Sequence, residues 1–151
     1  MLCCIISNNQ HSKRIEILLN AKGSIGYMWT YTAYMFAEYC KKRFVNQLKF
    51  KEFADFCFDN VWRKKHITFV DGKEELYGEL KYLERIKLIS LDEEKNIDNT
   101  IIKISNKKEL KTLVEIVENS GRVSGVKLLD EYIKRIQSAL KDVAPRKHEY
   151  K

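Results

Sequence analysis

The stretch that decides the fold is KEELYGELKYLERIKLISLD, residues 73–92. Its first part has apolar side chains in steps of four, three and three, which is the spacing of one face of an α-helix. These apolar positions are Leu76, Leu80, Leu83 and Ile86. From Leu88 to Asp92 the pattern changes to the apolar character of a strand. We therefore predict a helix from Lys73 to Lys87 that runs directly into a β-strand.

A second strand-like segment follows after a polar stretch. Thr100–Ile104 is rich in β-branched residues, which favour extended backbone. The residues between the two segments, Glu94–Asn99, are polar and typical of a turn. The two segments predict an antiparallel hairpin with a polar tip. The fold class that results is mainly α-helical with one β-hairpin.

Upstream of the hairpin, the segment Tyr27–Phe44 carries six aromatic residues at largely helical spacing. Such a set can stack on bases, but its amphipathic pattern favours the core of a small domain. Leu48–Phe50 then predicts a very short strand, and Lys51–Trp62 predicts another helix.

Two further helices are predicted after the hairpin. Asn106 followed by Glu109 is typical of a capping box and marks the first of them. We expect that helix to stop at Gly121. The last helix is predicted over Ser124–Val143, just before Pro145.

The composition predicts one compact domain. A single proline and six glycines leave little material for a long linker, so we assign residues 1–143 to the domain and 144–151 to a disordered tail. At the N-terminus, residues 2–6 predict a short strand and residues 12–20 a helix.

The order of these elements, with the helix from 73 entering Lys87-Leu88-Ile89-Ser90, resembles the winged-helix form of helix-turn-helix domains in small prokaryotic or viral regulators. The winged-helix-like core would cover about residues 27–105, with extra helices at both ends and residues 106–143 as a C-terminal extension. The resemblance implies a transcriptional regulator whose third helix enters the major groove of duplex DNA while the hairpin, or wing, touches the backbone. The DNA-facing side chains it implies are Tyr77, Lys81 and Arg85 on the helix, and Lys95, Asn96 and Asn99 in the wing.

Two features depart from the family pattern. Four carboxylates, which repel phosphate, lie on the third helix; they are Glu74, Glu75, Glu79 and Glu84. The stretch Arg63–Gly72 is also longer than the tight turn of the motif. Both features fit a winged helix that grips DNA through its loop and wing. They also fit one that binds protein, as an accessory subunit of a replication, transcription or viral assembly.

The charge of the chain favours a polyanionic partner. Its formal net charge is +7, and such a surface attracts DNA, RNA or acidic lipid headgroups. The sharpest basic run, Arg63-Lys64-Lys65, falls between two predicted helices, where a phosphate backbone can reach it. For the two C-terminal helices, homodimer contacts and a cover for the domain's own core both remain open.

No catalytic or metal chemistry is indicated. Four cysteines and three histidines form no close-spaced pairs of zinc ligands, and Cys40 and Cys57 fit buried free thiols. The sequence has no glycine-rich phosphate loop and no hydrolase signature, so we expect no enzyme activity, cofactor or metal. Glu52, Asp55 and Asp59 share a helix face that fits a solvated acidic surface better than a cation site. Lacking a membrane-length apolar run, the protein is expected in the cytoplasm.

Overall fold

The computed structural model describes residues 28–65, 70–124 and 127–144. The predicted strand over 2–6, the predicted helix over 12–20 and the predicted tail beyond Ala144 lie outside these ranges.

The first described helix, α1 (Met28–Arg43), forms the centre of the molecule. Every residue from Trp29 to Phe36 is buried, including Thr30 and Thr32. The aromatic residues of α1 described as buried therefore belong to the core and are not available to stack on bases. The expected amphipathic pattern is wrong for this half of the helix, because α3, α4 and α5 pack around it.

Strand β1 (Gln47–Lys49) follows, and helix α2 (Phe50–Asp55) continues as a π-helical segment, Phe56–Arg63. The predicted helix is therefore present, but its second half is wound more widely than an α-helix. The buried pairs Phe56 and Val61, and Cys57 and Trp62, are each five residues apart. A π-helix brings residues five apart closer to one face, so this winding buries all four side chains.

Helix α3 (Lys73–Arg85) has its leucine stripe fully buried, as predicted. It leads into strand β2 (Ile89–Asp92), which pairs antiparallel with strand β3 (Ile101–Ile104). The predicted hairpin is therefore confirmed. β1 adds to the other side of β3, with Leu48 opposite Ile102, and the sheet order is β1-β3-β2.

Helix α4 (Lys107–Ser124) begins at the predicted cap, where Asn106 Oδ1 accepts the Glu109 amide at 3.0 Å. The expected stop at Gly121 is wrong, because the helix continues to Ser124. Glycine lowers helix stability by about 1 kcal/mol, which packing against neighbouring helices can offset. Helix α5 (Lys127–Leu140) is shorter at both ends than predicted.

The buried residues of all these elements form one hydrophobic cluster. The inner faces of α4 and α5 contact α1, so these helices cover the domain's own core. Tyr34 on α1 donates a hydrogen bond to Glu118 on α4 at 3.0 Å and accepts one from Gln137 on α5 at 3.2 Å. Cys40 and Cys57 are buried free thiols, as expected, and burial raises the pKa of Cys57.

Candidate nucleic-acid interface

Helix α3 is fastened to the hairpin by a row of side chains spaced one helical turn apart. Lys73 pairs with Asp98 at 3.3 Å, and the Tyr77 hydroxyl donates to Glu93 at 2.7 Å. Lys81 Nζ contacts both carboxylate oxygens of Glu93, at 3.0 and 3.1 Å. We call this set the α3–hairpin brace. It fixes the hairpin against the helix before any ligand binds.

The brace continues at the edge of the sheet, where the carboxylate of Glu84 accepts the amide of Leu91 at 3.0 Å. β2 is an edge strand, and an edge leaves backbone N–H groups open to pairing with another chain. Glu84 satisfies one of these groups from within the chain. Its carboxylate therefore has a structural role that the sequence pattern did not indicate.

Glu93 is the electrostatic centre of the brace. Hydrogen bonds from Tyr77 and Lys81 hold the pKa of Glu93 below its ordinary value. The same contact with Glu93 raises the pKa of Lys81. Both groups are exposed to water, where an ion pair of this kind contributes little to stability. The pair is therefore an orienting contact that a phosphate group can replace at modest cost.

Two of the residues predicted to face DNA, Tyr77 and Lys81, thus point along the hairpin. The ring of Tyr77 also meets Phe50 edge to face, with the centroids 5.3 Å apart. The helical periodicity of α3 indicated correctly that both residues lie off the leucine stripe. It carried no information about the hairpin, whose tip returns to cover that side of the helix.

Arg85 is the predicted α3 residue that faces outward. Its guanidinium lies 5.9 Å from the ring centroid of Tyr82, and this ring lies 5.4 Å from that of Trp29 on α1. A cation held over an aromatic face keeps its donors free on the other side. The outer side of α3 also presents Glu74 and Gly78, so Arg85 has few cationic neighbours there.

The hairpin tip places the two predicted wing residues, Lys95 and Asn96, in exposed positions. The Asn96 side chain accepts the amide of Asp98 at 3.0 Å and so starts the short 3₁₀ turn Ile97–Asn99. Its oxygen is used within the turn, and Lys95 is the tip's one basic side chain.

The basic run Arg63-Lys64-Lys65 lies at the end of the π-helical segment. Arg63 is exposed and pairs with Asp59 at 3.2 Å. Lys64 is exposed, and the carbonyl of Lys65 accepts a hydrogen bond from Arg135 on α5 at 3.3 Å. The structure thus places this run beside α5, while Tyr77 and Lys81 lie at the hairpin.

The charges around the predicted interface have an acidic balance. We define the tip face as α3 together with residues 92–99. It contains four basic residues against eight acidic ones. The net positive charge of the chain therefore resides elsewhere. A phosphate backbone approaching the tip face meets more repulsion than attraction, except near Arg85 and Lys95.

A cleft of about 500 Å³ lies between the end of α1, α2 and residues 142–144. Its lining mixes the cations Arg43, Lys49 and Lys51 with carboxylates from Glu52 and its neighbours. The charges largely cancel, so the cleft offers no concentrated field to a polyanion.

The acidic residues considered as a cation site have partners within the chain. Glu52 accepts a hydrogen bond from Tyr39 at 2.9 Å, and Asp55 pairs with Lys51 at 2.9 Å. Within the described ranges, no three His, Cys, Asp or Glu side chains come together as a metal-binding group.

Comparison of the chain with protein-family models, with curated proteins and with solved structures gave no match. None of the helices in the described part of the chain combines the length and the apolar character needed to cross a membrane.

Proposed function

We propose that the protein is a non-enzymatic, nucleic-acid-binding winged-helix protein whose α3 and hairpin approach duplex DNA. The observation that carries this proposal is the path of the chain. Helix, strand, two helices and two strands follow in that order, and the first strand pairs with the last in the sheet order β1-β3-β2. The hairpin supplies the wing, and α3 occupies the position of the reading helix.

The charge distribution favours a grip on the DNA backbone over extensive base reading. Arg85 is the one outward cation on α3 with a guanidinium fork that suits a guanine edge. Lys95 in the wing and Lys64 beside α5 are exposed cations that suit phosphates. With Tyr77 and Lys81 in the brace, sequence preference would be weak and affinity strongly dependent on salt.

The test is fluorescence anisotropy of a labelled random duplex, titrated with the whole chain at about 50 mM and about 200 mM salt. The variant Lys64→Gln, Arg85→Gln, Lys95→Gln removes three exposed cations. We expect weaker binding and a salt dependence shallower by about three units of slope, one for each lost phosphate contact.

The matched control, Lys87→Gln, Lys107→Gln, Lys108→Gln, removes three exposed cations from the opposite end of the sheet. It should bind the duplex nearly as well as the unmodified chain. If both variants bind duplex equally, the tip face is not the contact. If the unmodified chain does not bind duplex at low salt, the proposal is wrong.

A second candidate, a protein-binding winged helix in a larger assembly, is favoured by the acidic tip face. Eight carboxylates and a braced hairpin suit a basic protein partner better than a phosphate backbone. This function predicts a partner retained after nuclease treatment and high salt. It also predicts that Glu74→Lys with Glu94→Lys releases that partner.

A further inference from the structure

Three chain segments meet at the end of the sheet opposite the hairpin tip. The amide of Ile104 donates to the carbonyl of Asn46 at 3.1 Å, which joins the end of β3 to the start of β1. The amides of Ser105 and Asn106 both donate to the carbonyl of Leu88, at 3.0 and 3.3 Å. The α1–β1, α3–β2 and β3–α4 connections therefore lie side by side.

These connections are basic without exception. Residues 41–46, 86–88 and 105–108 contain six basic residues and no acidic one. Five of the six are exposed lysines, and they join Phe44 in what we call the base patch: Lys41, Lys42, Lys87, Lys107 and Lys108. The sixth, Arg43, is occupied by Glu52 and the carbonyl of Ala144. Lys107 and Lys108 lie in the first turn of α4, where the helix dipole disfavours cations, so helix stability does not account for them.

Phe44 is the exposed aromatic ring of this patch. Its side chain is 66% exposed, and its backbone has a φ of +58°. It occupies the residue after α1 in a Schellman turn, in which Val45 N bonds Cys40 O and Phe44 N bonds Lys41 O. Glycine is the usual residue there, because a side chain in the left-handed region is strained. Neither burial nor backbone preference accounts for a phenylalanine at this position.

Lys87 has the same local structure at the end of α3. Its φ is +69°, and Leu88 N bonds Leu83 O while Lys87 N bonds Glu84 O. Among the described residues these two are the non-glycine residues with a positive φ. They flank β3 on β1 and β2, and two strand spacings separate them by about 10 Å. Both strained turns thus hold an exposed side chain at the same end of the sheet.

We propose that the base patch binds single-stranded nucleic acid, with Phe44 stacking on an unpaired base and the lysines contacting phosphates. A protruding ring can reach the face of an unpaired base, whereas duplex bases are covered by their neighbours. Exposed cations on both sides of the ring match the alternation of base and phosphate. A membrane would require a larger apolar face than one phenylalanine provides.

The substitution Phe44→Gly tests the proposal without the risk of unfolding, because it removes the ring and relieves the strained backbone. The probe is a labelled oligo-dT strand of about twenty nucleotides, titrated with the whole chain. We expect the affinity of Phe44→Gly to fall about tenfold, the usual effect of losing one stacked base. Phe44→Trp should retain the affinity, and its added tryptophan emission should be quenched when the strand binds.

Phe44→Leu separates stacking from simple hydrophobic contact, because leucine has apolar surface but no ring. We expect it to bind the strand as weakly as Phe44→Gly. Equal affinities of the unmodified chain and Phe44→Gly for oligo-dT would overturn the proposal. So would binding to phosphatidylserine vesicles, but not to oligo-dT, that Phe44→Leu retains and Phe44→Gly loses.

This inference is independent of the proposed duplex contact. The variant with glutamine at Lys87, Lys107 and Lys108 should lose the single strand, while the variant with glutamine at Lys64, Arg85 and Lys95 should keep it. The reverse pattern on oligo-dT contradicts the base patch alone. Loss of duplex binding by neither variant contradicts the tip face alone.

Discussion

The two ends of the three-stranded sheet differ in charge and in the way their side chains are held. At the hairpin tip, cations such as Lys81 are paired with carboxylates of the same chain, and acidic residues are in excess. At the base, the lysines lie exposed on strained connections that contain no carboxylate. The family resemblance directs attention to the tip, whereas the physical chemistry of the surface is more unusual at the base. A resemblance in topology therefore need not locate the contact surface.

The largest expected effect tests whether the sheet joins the two ends into one cooperative unit. Ile102 in the central strand is fully buried and lies between Leu48 and Leu91. Ile102→Ala should lower the free energy of unfolding by about 3 kcal/mol, measured by urea denaturation. The control is Ile104→Ala in the same strand, which is half-buried and should have a clearly smaller effect. Similar losses for both variants would place the sheet outside the cooperative core.

The next effect concerns the acidic excess of the tip face. Glu74→Lys with Glu94→Lys makes that face neutral, and duplex affinity at low salt should rise about tenfold. Glu115→Lys with Asp142→Lys adds the same charge to other exposed positions and serves as the control. An equal rise in both double variants would mean that total charge, and not its location, sets the affinity.

A smaller effect compares the backbones of the base patch and an ordinary helix. Phe44→Gly and Lys87→Gly should each raise the free energy of unfolding by about 0.5–1 kcal/mol, since relief of left-handed strain exceeds the added entropy of the unfolded chain. Lys111→Gly, within α4, should instead lower it by about 1 kcal/mol. A lower urea midpoint for Phe44→Gly would show that the ring makes stabilising contacts within the chain.

The smallest effect concerns protons at the tip. The pKa of Glu93 is lowered in the folded chain, so the brace contributes stability at pH values above the ordinary range of a glutamate. That contribution is lost as the pH falls through the folded pKa. An NMR titration should find the Glu93 pKa below its ordinary value, and Lys81→Gln should shift it upward. An unchanged pKa in Lys81→Gln would mean that this ion pair does not form in solution.

The sequence was informative where a pattern is local. The leucine spacing of α3, the β-branched strand of Ile101–Ile104 and the cap at Asn106 each depend on neighbouring residues, and all three are confirmed. The wide winding over Phe56–Arg63 had a signal as well, because its buried pairs are five residues apart.

Features that depend on distant contacts were not predictable. Glu93 lies outside every motif, and its role becomes visible only when the tip returns to Lys81. Gly121 remains helical because neighbouring helices outweigh its local preference. The exposure of Phe44 was hidden by its position at the end of an aromatic segment whose earlier rings are mostly buried. No single-residue property distinguishes the exposed ring from the buried ones.

The central position of α1 means that this chain has no smaller autonomous part. α1 contacts α3 on one side and α4 on another, so a fragment ending at Ser105 would expose Tyr34 and its neighbours to water. A protease cut at the exposed tip, between Glu94 and Lys95, would have a different result. The two pieces would remain associated through β2 and β3 and through the shared helix. The tip is therefore a suitable place to divide the chain into two halves that reassemble when expressed together.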